Sequence, residues 1–315
     1  MHWKIKAGIQ KVLSYTRLGD RFNHIPATLQ KHYYENVFNY QLHECIRKLK
    51  ETKPFLEGKE KIALEIGTGY SIVSPVILFL LGFKKIVTVD ISNDISMNTA
   101  KKQLCFFRNQ AYKAIVMKNS IYEEGELEEK INTLLSFTSM NKLLDYCRIT
   151  YLPKYTFDDI DALNYKFDYI YSQVVFEHID KKTLEALFKK MEKWLSNDGY
   201  GVHTINFIDH FANPGFFQDR SISEFNFLRY SDKFWNFWTR NPIAFTNRLT
   251  FPFYLDLCEE VGLDVVSFKG KNYREHKPLD NSLIHKDVLD KYKNTVRIED
   301  LQKYQRGTLV FRSKP

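Results

Sequence analysis

The sequence predicts an α/β fold in which seven strands form a doubly wound, mostly parallel sheet. From residue 60 onwards, short apolar segments alternate with longer segments of helical period. This alternation is typical of a parallel sheet covered by helices on both faces. The first segment, 62–66, is followed directly by Gly67 and Gly69 and then by a helical segment. A strand, a glycine turn and a helix N-terminus in this order form the nucleotide site of open α/β sheets.

The predicted elements follow in order along the chain. Residues 1–57 are predicted to be an N-terminal helical extension, because apolar residues recur there at helical spacing. The predicted domain 58–315 contains strands at 62–66, 86–90, 147–152, 167–172, 200–207, 263–268 and 307–312. Helices are predicted at 74–81, 94–109, 130–146, 180–195 and 252–261. The aromatic-rich stretch 208–250 lacks a regular period and is predicted to be a cap inserted after the fifth strand.

Particular residues predict where these elements begin and end. Ser74 and Pro75 have the form of a helix N-cap followed by proline at the first helical position. Gly82 and Gly262 stand where helices are expected to stop. The Asn-Asp-Gly sequence at 197–199 predicts a tight turn into the fifth strand.

Composition and cysteine spacing restrict the class of protein. The chain has 315 residues, 44% of them hydrophobic, which suffices for one large domain or two small ones. No apolar run approaches the roughly 20 residues needed to span a bilayer, and the first 20 residues do not resemble a signal peptide. The four cysteines lack C-x-x-C spacing, so the sequence predicts neither a disulfide framework nor a metal site. Scattered, reduced thiols fit a cytoplasmic protein.

The formal net charge of +8 permits anionic partners. The lysines are mostly dispersed and no recognised nucleic-acid-binding motif is present, so nucleic acid is not a predicted partner. An acidic sugar, a sugar phosphate or the inner face of a membrane suits the charge equally well. Trp3, Ile5, Ile9 and Leu13, with lysines between them, could form an interfacial helix and so allow peripheral membrane association. The sequence leaves the oligomeric state open.

The glycine turn favours a cationic cofactor over a dinucleotide. A pyrophosphate-binding turn has the form G-x-G-x-x-G, but Ile72 occupies the third glycine position and Glu65 stands just before the turn. A carboxylate there would repel pyrophosphate and attract a cation. Asp90 ends the second strand about 20 residues after the turn, the usual distance for a ribose-binding acid. A glycine turn that serves only packing is the alternative.

Several strings resemble motifs of class I S-adenosylmethionine (SAM)-dependent methyltransferases. The E-x-G-x-G string from Glu65 to Gly69 closely resembles motif I of that family, whose cofactor carries a sulfonium and an ammonium group. Residues 167–179 resemble the family's F-D-x-I-x-S-x-x-V-x-E-H motif, which contains the fourth strand. Residues 195–199 resemble its L-x-P-G-G turn, with Asn197 and Asp198 replacing Pro-Gly. The resemblance implies a Rossmann-like fold and SAM as the cofactor.

The resemblance also implies which residues bind SAM. Gly67, Thr68 and Gly69 would lie along its methionine part, and Glu65 would act on its ammonium group. The other implied cofactor-binding residues are Asp90 at the ribose hydroxyls, Ile91 against the adenine, Tyr155 near the adenine edge, and Ser172 and Gln173 beside the transferable methyl.

Methyl transfer often requires removal of a proton from the acceptor. His178, which follows the fourth strand, and His210, which follows the fifth, are the candidate bases. Asp209 is a third candidate catalytic residue, because a carboxylate beside a histidine could orient the imidazole ring. His203 lies inside the fifth strand and is predicted to be a core residue.

The predicted reaction is methyl transfer from SAM to an oxygen of a small-molecule or carbohydrate acceptor. No D/N-P-P-Y/F string follows the fourth strand, which disfavours methylation of adenine or cytosine nitrogen. Strings at 19–23, 226–231 and 247–249 resemble methyltransferases of bacterial surface-polysaccharide gene clusters. The clustered aromatics after the fifth strand suit either sugar rings or hydrophobic cover. The alternatives are a nicotinamide-dependent sugar oxidoreductase and a non-catalytic SAM-binding or membrane-surface adaptor.

Overall fold

A seven-stranded sheet runs through the computed structural model, which describes residues 1–15, 31–52, 60–212, 217–241 and 245–314. The strands are β1 (Ile62–Ile66), β2 (Lys85–Asp90), β3 (Ile149–Pro153), β4 (Phe167–Gln173), β5 (Leu195–Asn206), β6 (Leu263–Lys271) and β7 (Arg306–Ser313). Their order is β3-β2-β1-β4-β5-β7-β6. β1 is parallel to β2 and β4, β2 is parallel to β3, and β6 and β7 are antiparallel. The predicted Rossmann-like, doubly wound and mostly parallel sheet is confirmed.

Helices connect most of these strands. The described helices are α1 (Trp3–Ser14), α2 (Tyr33–Lys50), α3 (Val73–Leu80), α4 (Met97–Leu104), α5 (Gln110–Met117), α6 (Glu124–Ser136), α7 (Met140–Tyr146), α8 (Phe157–Asp161), α9 (Lys181–Trp194), α10 (Asp232–Thr239), α11 (Phe251–Val261) and α12 (Lys286–Leu289). Residues 16–30 and 53–59 lie outside the described part, and with them the string at 19–23 and the predicted boundary at 57.

Contacts between Cα atoms divide the chain into two compact units. One contains the described residues of Met1–Gln30, Val174–Lys189 and His203–Lys314. The other contains those of Lys31–Gln173 and Lys190–Val202. A separate extension at 1–57 and a cap at 208–250 stay predictions.

Helix α3 begins earlier than its sequence predicts. Its N-cap is Ile72, so Ser74 and Pro75 lie inside the helix, and the prediction of Ser74 as N-cap is wrong. Pro75 is still within the first turn, where a missing N–H leaves no helical hydrogen bond unmade. All eight residues of α3 are buried, and the Ser71 hydroxyl accepts a hydrogen bond of 3.3 Å from the Val73 N–H, so packing and a polar contact both stabilise this end. Gly82 does end the helical segment, with a φ of 104°.

Other predicted elements differ from the structure. The helix predicted at 94–109 begins at Met97, after its N-cap Ser96, and continues beyond Leu104 as a 3-10 segment, Cys105–Arg108. The helix predicted at 130–146 is two helices, α6 and α7, which are separated by three residues, the last being the N-cap Ser139. Residues 197–199 do not form a tight turn, because β5 is already a continuous strand from Leu195. Gly199 has another role there. A Cβ at this position would lie 2.7 Å from the carbonyl oxygen of Phe167, so only glycine permits this close approach.

Helix α1 is anchored by Trp3. The Trp3 ring is 2% exposed and lies with its centroid 5.3 Å from that of Tyr230 and 5.5 Å from that of Trp235. Its backbone N–H donates a hydrogen bond to Asp219. Trp3 is therefore a core residue and not part of an interfacial surface.

Candidate functional site

The sheet has a topological switch point between β1 and β4. The chain runs from β1 outwards to β2 on one side, whereas β4, on the other side of β1, leads on to β5. Open α/β sheets bind ligands at the carboxyl ends of the strands at such a point. Glu65 pairs in register with Tyr171, and Ile66 with Ser172. The structure therefore brings the glycine turn after β1 beside the end of β4, as the sequence predicts.

The glycine turn has the backbone conformation that only glycine adopts readily. Gly67 has a φ of 87° and Gly69 a φ of 59°, both in the left-handed region. The N–H groups of Gly67 and Thr68 donate to the carbonyl of Val89 on β2, at 2.9 and 3.2 Å. A Cβ at Gly69 would meet no atom within 4 Å, so the space beside this glycine is open.

Asp90 holds the turn in place from the end of β2. Its Oδ2 accepts a hydrogen bond of 2.7 Å from the Gly69 N–H, and its Oδ1 accepts one of 3.0 Å from the Ser92 N–H. The Ser92 hydroxyl also lies 2.9 Å from Oδ1. A carboxylate offers about four acceptor positions, so Asp90 keeps limited capacity for a ligand. Its predicted bond to ribose hydroxyls has to use what remains.

Glu65 is buried behind the turn, with 5% of its surface exposed. Its Oε2 accepts a hydrogen bond of 2.6 Å from the Thr88 hydroxyl, which in turn lies 2.6 Å from the Thr68 hydroxyl. Thr88 has one proton and gives it to Glu65, so Thr68 donates to Thr88. Burial raises the pKa of Glu65 to about 7, and the bond from Thr88 and the charge of Lys48 limit this rise.

Lys48 is a residue of this region that the sequence analysis missed. It lies on α2, is 2% exposed, and donates from Nζ to the backbone carbonyl of Ser172 at 3.1 Å. Burial lowers the pKa of Lys48 to about 8, although Glu65 is among the groups that favour its charge. The available signal was the shared helix face of Cys45 and Lys48, since a lysine on an apolar face needs a partner.

The remaining predicted cofactor residues lie near the ends of β2, β3 and β4. Ile91 is 84% exposed. The backbone N–H of Tyr155 donates to the Asp90 carbonyl at 3.3 Å, and burial, followed by the charge of Asp90, raises the pKa of Tyr155 to about 12. Ser172 is fully buried. Gln173 donates from Nε2 to the Tyr40 hydroxyl at 2.5 Å, while its buried Oε1 has no hydrogen-bond partner in the described part of the chain.

The candidate bases His178 and His210 lie together, with ring centroids 4.9 Å apart. Nδ1 of His178 lies 3.0 Å from the carbonyl oxygen of Phe245, and Nε2 of His210 lies 3.2 Å from Nδ2 of Asn206. Burial lowers the pKa of both rings, and that of His210 falls to about 3. His178 is nevertheless exposed to solvent, although its Nδ1 is close to a backbone carbonyl. Both rings are therefore neutral near pH 7.

Asp209 does not orient His210 in this structure. Its Oδ1 accepts from the Phe211 N–H at 2.8 Å, and its Oδ2 accepts from Nδ2 of Asn226 at 3.3 Å. The side chain is fully buried, and burial raises the pKa of Asp209 to about 7. These contacts make Asp209 a residue that holds the loop after β5.

His203 and Trp235, one of the clustered aromatics, are core residues. His203 is fully buried and stacks between Phe176 and Phe311, as predicted for a core residue. Trp235 is 1% exposed and packs into the same cluster as Trp3. Phe237, another aromatic residue after the fifth strand, is 62% exposed.

No protein-family model matches the chain, and no curated protein matches it. Solved structures of methyltransferases are similar to it. A candidate sarcosine dimethylglycine methyltransferase from Galdieria sulphuraria has a TM-score of 0.46 and 14% identity, over 92% of this chain and 91% of that chain. A TehB-like SAM-dependent methyltransferase from Corynebacterium glutamicum has a TM-score of 0.40 and 11% identity, over 96% and 100%. PKMT2 from Rickettsia typhi, in complex with AdoHcy, has a TM-score of 0.42 and 12% identity, over 82% of this chain and 49% of that chain.

Proposed function

We propose that this chain is a SAM-dependent methyltransferase that transfers a methyl group to an oxygen of a small-molecule or carbohydrate acceptor. The observation that carries the proposal is the buried Glu65 carboxyl behind a left-handed glycine turn at the switch point of the sheet. A buried carboxylate favours a cationic ligand and disfavours a pyrophosphate. The open space beside Gly69 leaves room for that ligand.

Oxygen as the methyl acceptor is supported by the two neutral imidazoles. A hydroxyl must lose its proton on methylation, and a neutral imidazole can take it. A general base works best when its pKa is near the operating pH. The pKa of His210, about 3, makes it a poor base, so His178 is the better candidate. A role in the synthesis of bacterial surface polysaccharides is proposed only because the strings at 19–23, 226–231 and 247–249 resemble methyltransferases of such gene clusters.

Calorimetry with SAM and NAD separately tests the choice of cofactor. We expect the full chain to bind SAM and not NAD, because Glu65 would lie against a pyrophosphate. Tight NAD binding without SAM binding would favour the sugar oxidoreductase instead. SAM binding with no transfer to a panel of sugars, uronic acids and sugar phosphates would favour a non-catalytic adaptor.

SAM affinity is expected to depend on pH through Glu65. Its pKa of about 7 means that the free chain holds a neutral acid below that pH, and a cationic ligand must then displace the proton. Affinity should therefore fall by up to about tenfold per unit as the pH drops below 7, and should change little through this group above 7. Calorimetry over a pH series measures this. Glu65→Gln should bind SAM more weakly and lose this slope; equal slopes in both proteins would contradict the assignment.

We also propose a cytoplasmic location with peripheral membrane contact through α1. Ile5, Ile9 and Val12 are spaced to share one face of α1 and are 58%, 47% and 68% exposed. Exposed apolar residues with nearby lysines suit an anionic membrane surface. Among the described residues, no helix has the length and apolar character to cross a bilayer.

Vesicle flotation tests the membrane contact. We expect the full chain to float with phosphatidylglycerol vesicles and Ile5→Glu/Ile9→Glu to float less, because two charges oppose insertion. Val266→Glu/Leu283→Glu is the matched control, since both residues are also exposed, at 46% and 44%. Equal flotation of all three proteins would refute the idea. These substitutions leave the Trp3 anchor intact, whereas a deletion of the helix would remove it.

A further inference from the structure

Glu177, His178 and His210 bring three potential metal ligands together. One carboxylate oxygen and two imidazole nitrogens, one atom from each residue, all lie within 4.8 Å of one another. In a tetrahedral site with bonds of about 2.0–2.1 Å, the ligand atoms are roughly 3.4 Å apart. The side chains would therefore need to close by no more than about 1.4 Å to share one ion.

The Glu177 carboxyl has no hydrogen-bond partner among the described residues. Its side chain is 3% exposed, and both of its oxygens are buried without a partner. The backbone N–H groups of Glu177 and Asn206 and the charge of Arg306 act on it favourably, but none of these contacts meets the geometry of a hydrogen bond. A buried carboxyl in this state is costly unless something coordinates it. A cation bound by these oxygens would supply the missing interaction.

The backbone around Glu177 and His178 is held firmly. Asn247 donates from Nδ2 to the carbonyls of Phe176 and Ile179, at 2.7 and 2.8 Å. Its own N–H donates to the Glu177 carbonyl at 2.9 Å. Hydrogen bonds from Asn247 therefore fix the 3-10 turn Phe176–His178, which carries Glu177 and His178.

His178 has the tautomer that a metal ligand needs. A carbonyl oxygen can only accept, so the contact with Phe245 places the proton of His178 on Nδ1 and leaves the lone pair on Nε2. Metal-ligating histidines commonly donate their other ring N–H to a backbone carbonyl in this way.

Asn206 offers an additional ligand beside His210. Its Nδ2 lies 3.2 Å from Nε2 of His210, and its buried Oδ1 has no partner within the ranges that the structure describes. A half-turn of the amide would exchange these two atoms. Oδ1 and the imidazole nitrogen would then both present lone pairs towards one ion.

We propose that Glu177, His178 and His210 bind one divalent transition-metal ion of the zinc type, with Oδ1 of Asn206 as an available fourth ligand. Two imidazoles and one carboxylate are a ligand set that proteins use for Zn²⁺ and Fe²⁺. Mg²⁺ and Ca²⁺ prefer oxygen ligands, so they should bind more weakly. An ion here would lower the pKa of a hydroxyl bound to it. The binding itself does not depend on the proposed methyl transfer.

Metal titration of the full chain tests the site directly. The protein, without a histidine tag and stripped by a chelator, is titrated with Co²⁺ by visible absorption and with Zn²⁺ by calorimetry. We expect one ion per chain, and Glu177→Gln and His210→Ala should each weaken binding at least about tenfold. His43→Ala is the matched control, because His43 is exposed on α2, and it should bind as the wild type does.

Two outcomes would overturn the proposal: no stoichiometric binding by the wild type, or unchanged binding by Glu177→Gln. Circular dichroism shows that each variant is folded, and glutamine keeps the shape of the buried acid. SAM calorimetry on the same samples separates the two proposals, since the metal site can fail while SAM still binds, and the reverse also holds.

Discussion

Replacing His178 or His210 by alanine is expected to slow methyl transfer by about 10²–10⁴-fold while SAM affinity stays unchanged. His178 would lose its role as base, or either residue its role as a ligand of the inferred ion. Neither side chain is implied in SAM binding, so the loss should appear in turnover alone. The measurement is formation of S-adenosylhomocysteine from SAM with the panel of sugar acceptors.

His43→Ala serves as the control for turnover, because that exposed residue belongs to neither group. Added Zn²⁺ separates the two roles. A metal-dependent wild type with inactive variants indicates ligation, whereas a metal-independent wild type with an inactive His178→Ala indicates a base. Full activity in both variants would remove these histidines from the mechanism.

Asp90→Ala is expected to weaken SAM binding by about 1–3 kcal/mol, because charge-assisted hydrogen bonds are lost. The structure adds a second reason. Asp90 accepts the Gly69 N–H at 2.7 Å, so its removal also frees the glycine turn. Calorimetry with SAM measures the effect, and Asp90→Asn should lose less because the amide keeps an acceptor for Gly69.

Asp145→Ala is a matched control, since Asp145 is an exposed acid on α7, outside the turn. Its SAM affinity should equal that of the wild type. Wild-type affinity in Asp90→Ala would show that the ribose lies elsewhere.

Local sequence pattern was enough for the sheet and the glycine turn. The first strand, 62–66, was predicted with its observed bounds, because five apolar-rich residues bounded by charge and glycine define it closely. Gly262 was predicted as a helix stop and is the left-handed C-cap of α11. The errors fell where packing decides. Ser74 looks like a cap in sequence, yet the buried α3 begins at Val73.

The contacts that were missed join residues distant in sequence. Lys48 reaches the Ser172 carbonyl across 124 residues, and His178 and His210 meet from the ends of different segments. Only the folded sheet brings such groups together. The spacing rules for metal ligands consider neighbours along the chain, so they predict no metal site here.

The row of hydrogen-bonded hydroxyls that runs from Thr68 through Thr88 to Glu65 gives the glycine turn a polarity. While Glu65 is ionised, each hydroxyl proton points inwards along the row, and Thr68 shows a ligand only lone pairs. In this state the Thr68 hydroxyl can accept a hydrogen bond from an N–H donor, but it cannot donate one to a phosphate oxygen. Protonation of Glu65 would allow every bond in the row to reverse, and the same threonine could then present a proton outwards. The protonation state of Glu65 thus determines whether the Thr68 hydroxyl can donate a hydrogen bond to a ligand or can only accept one.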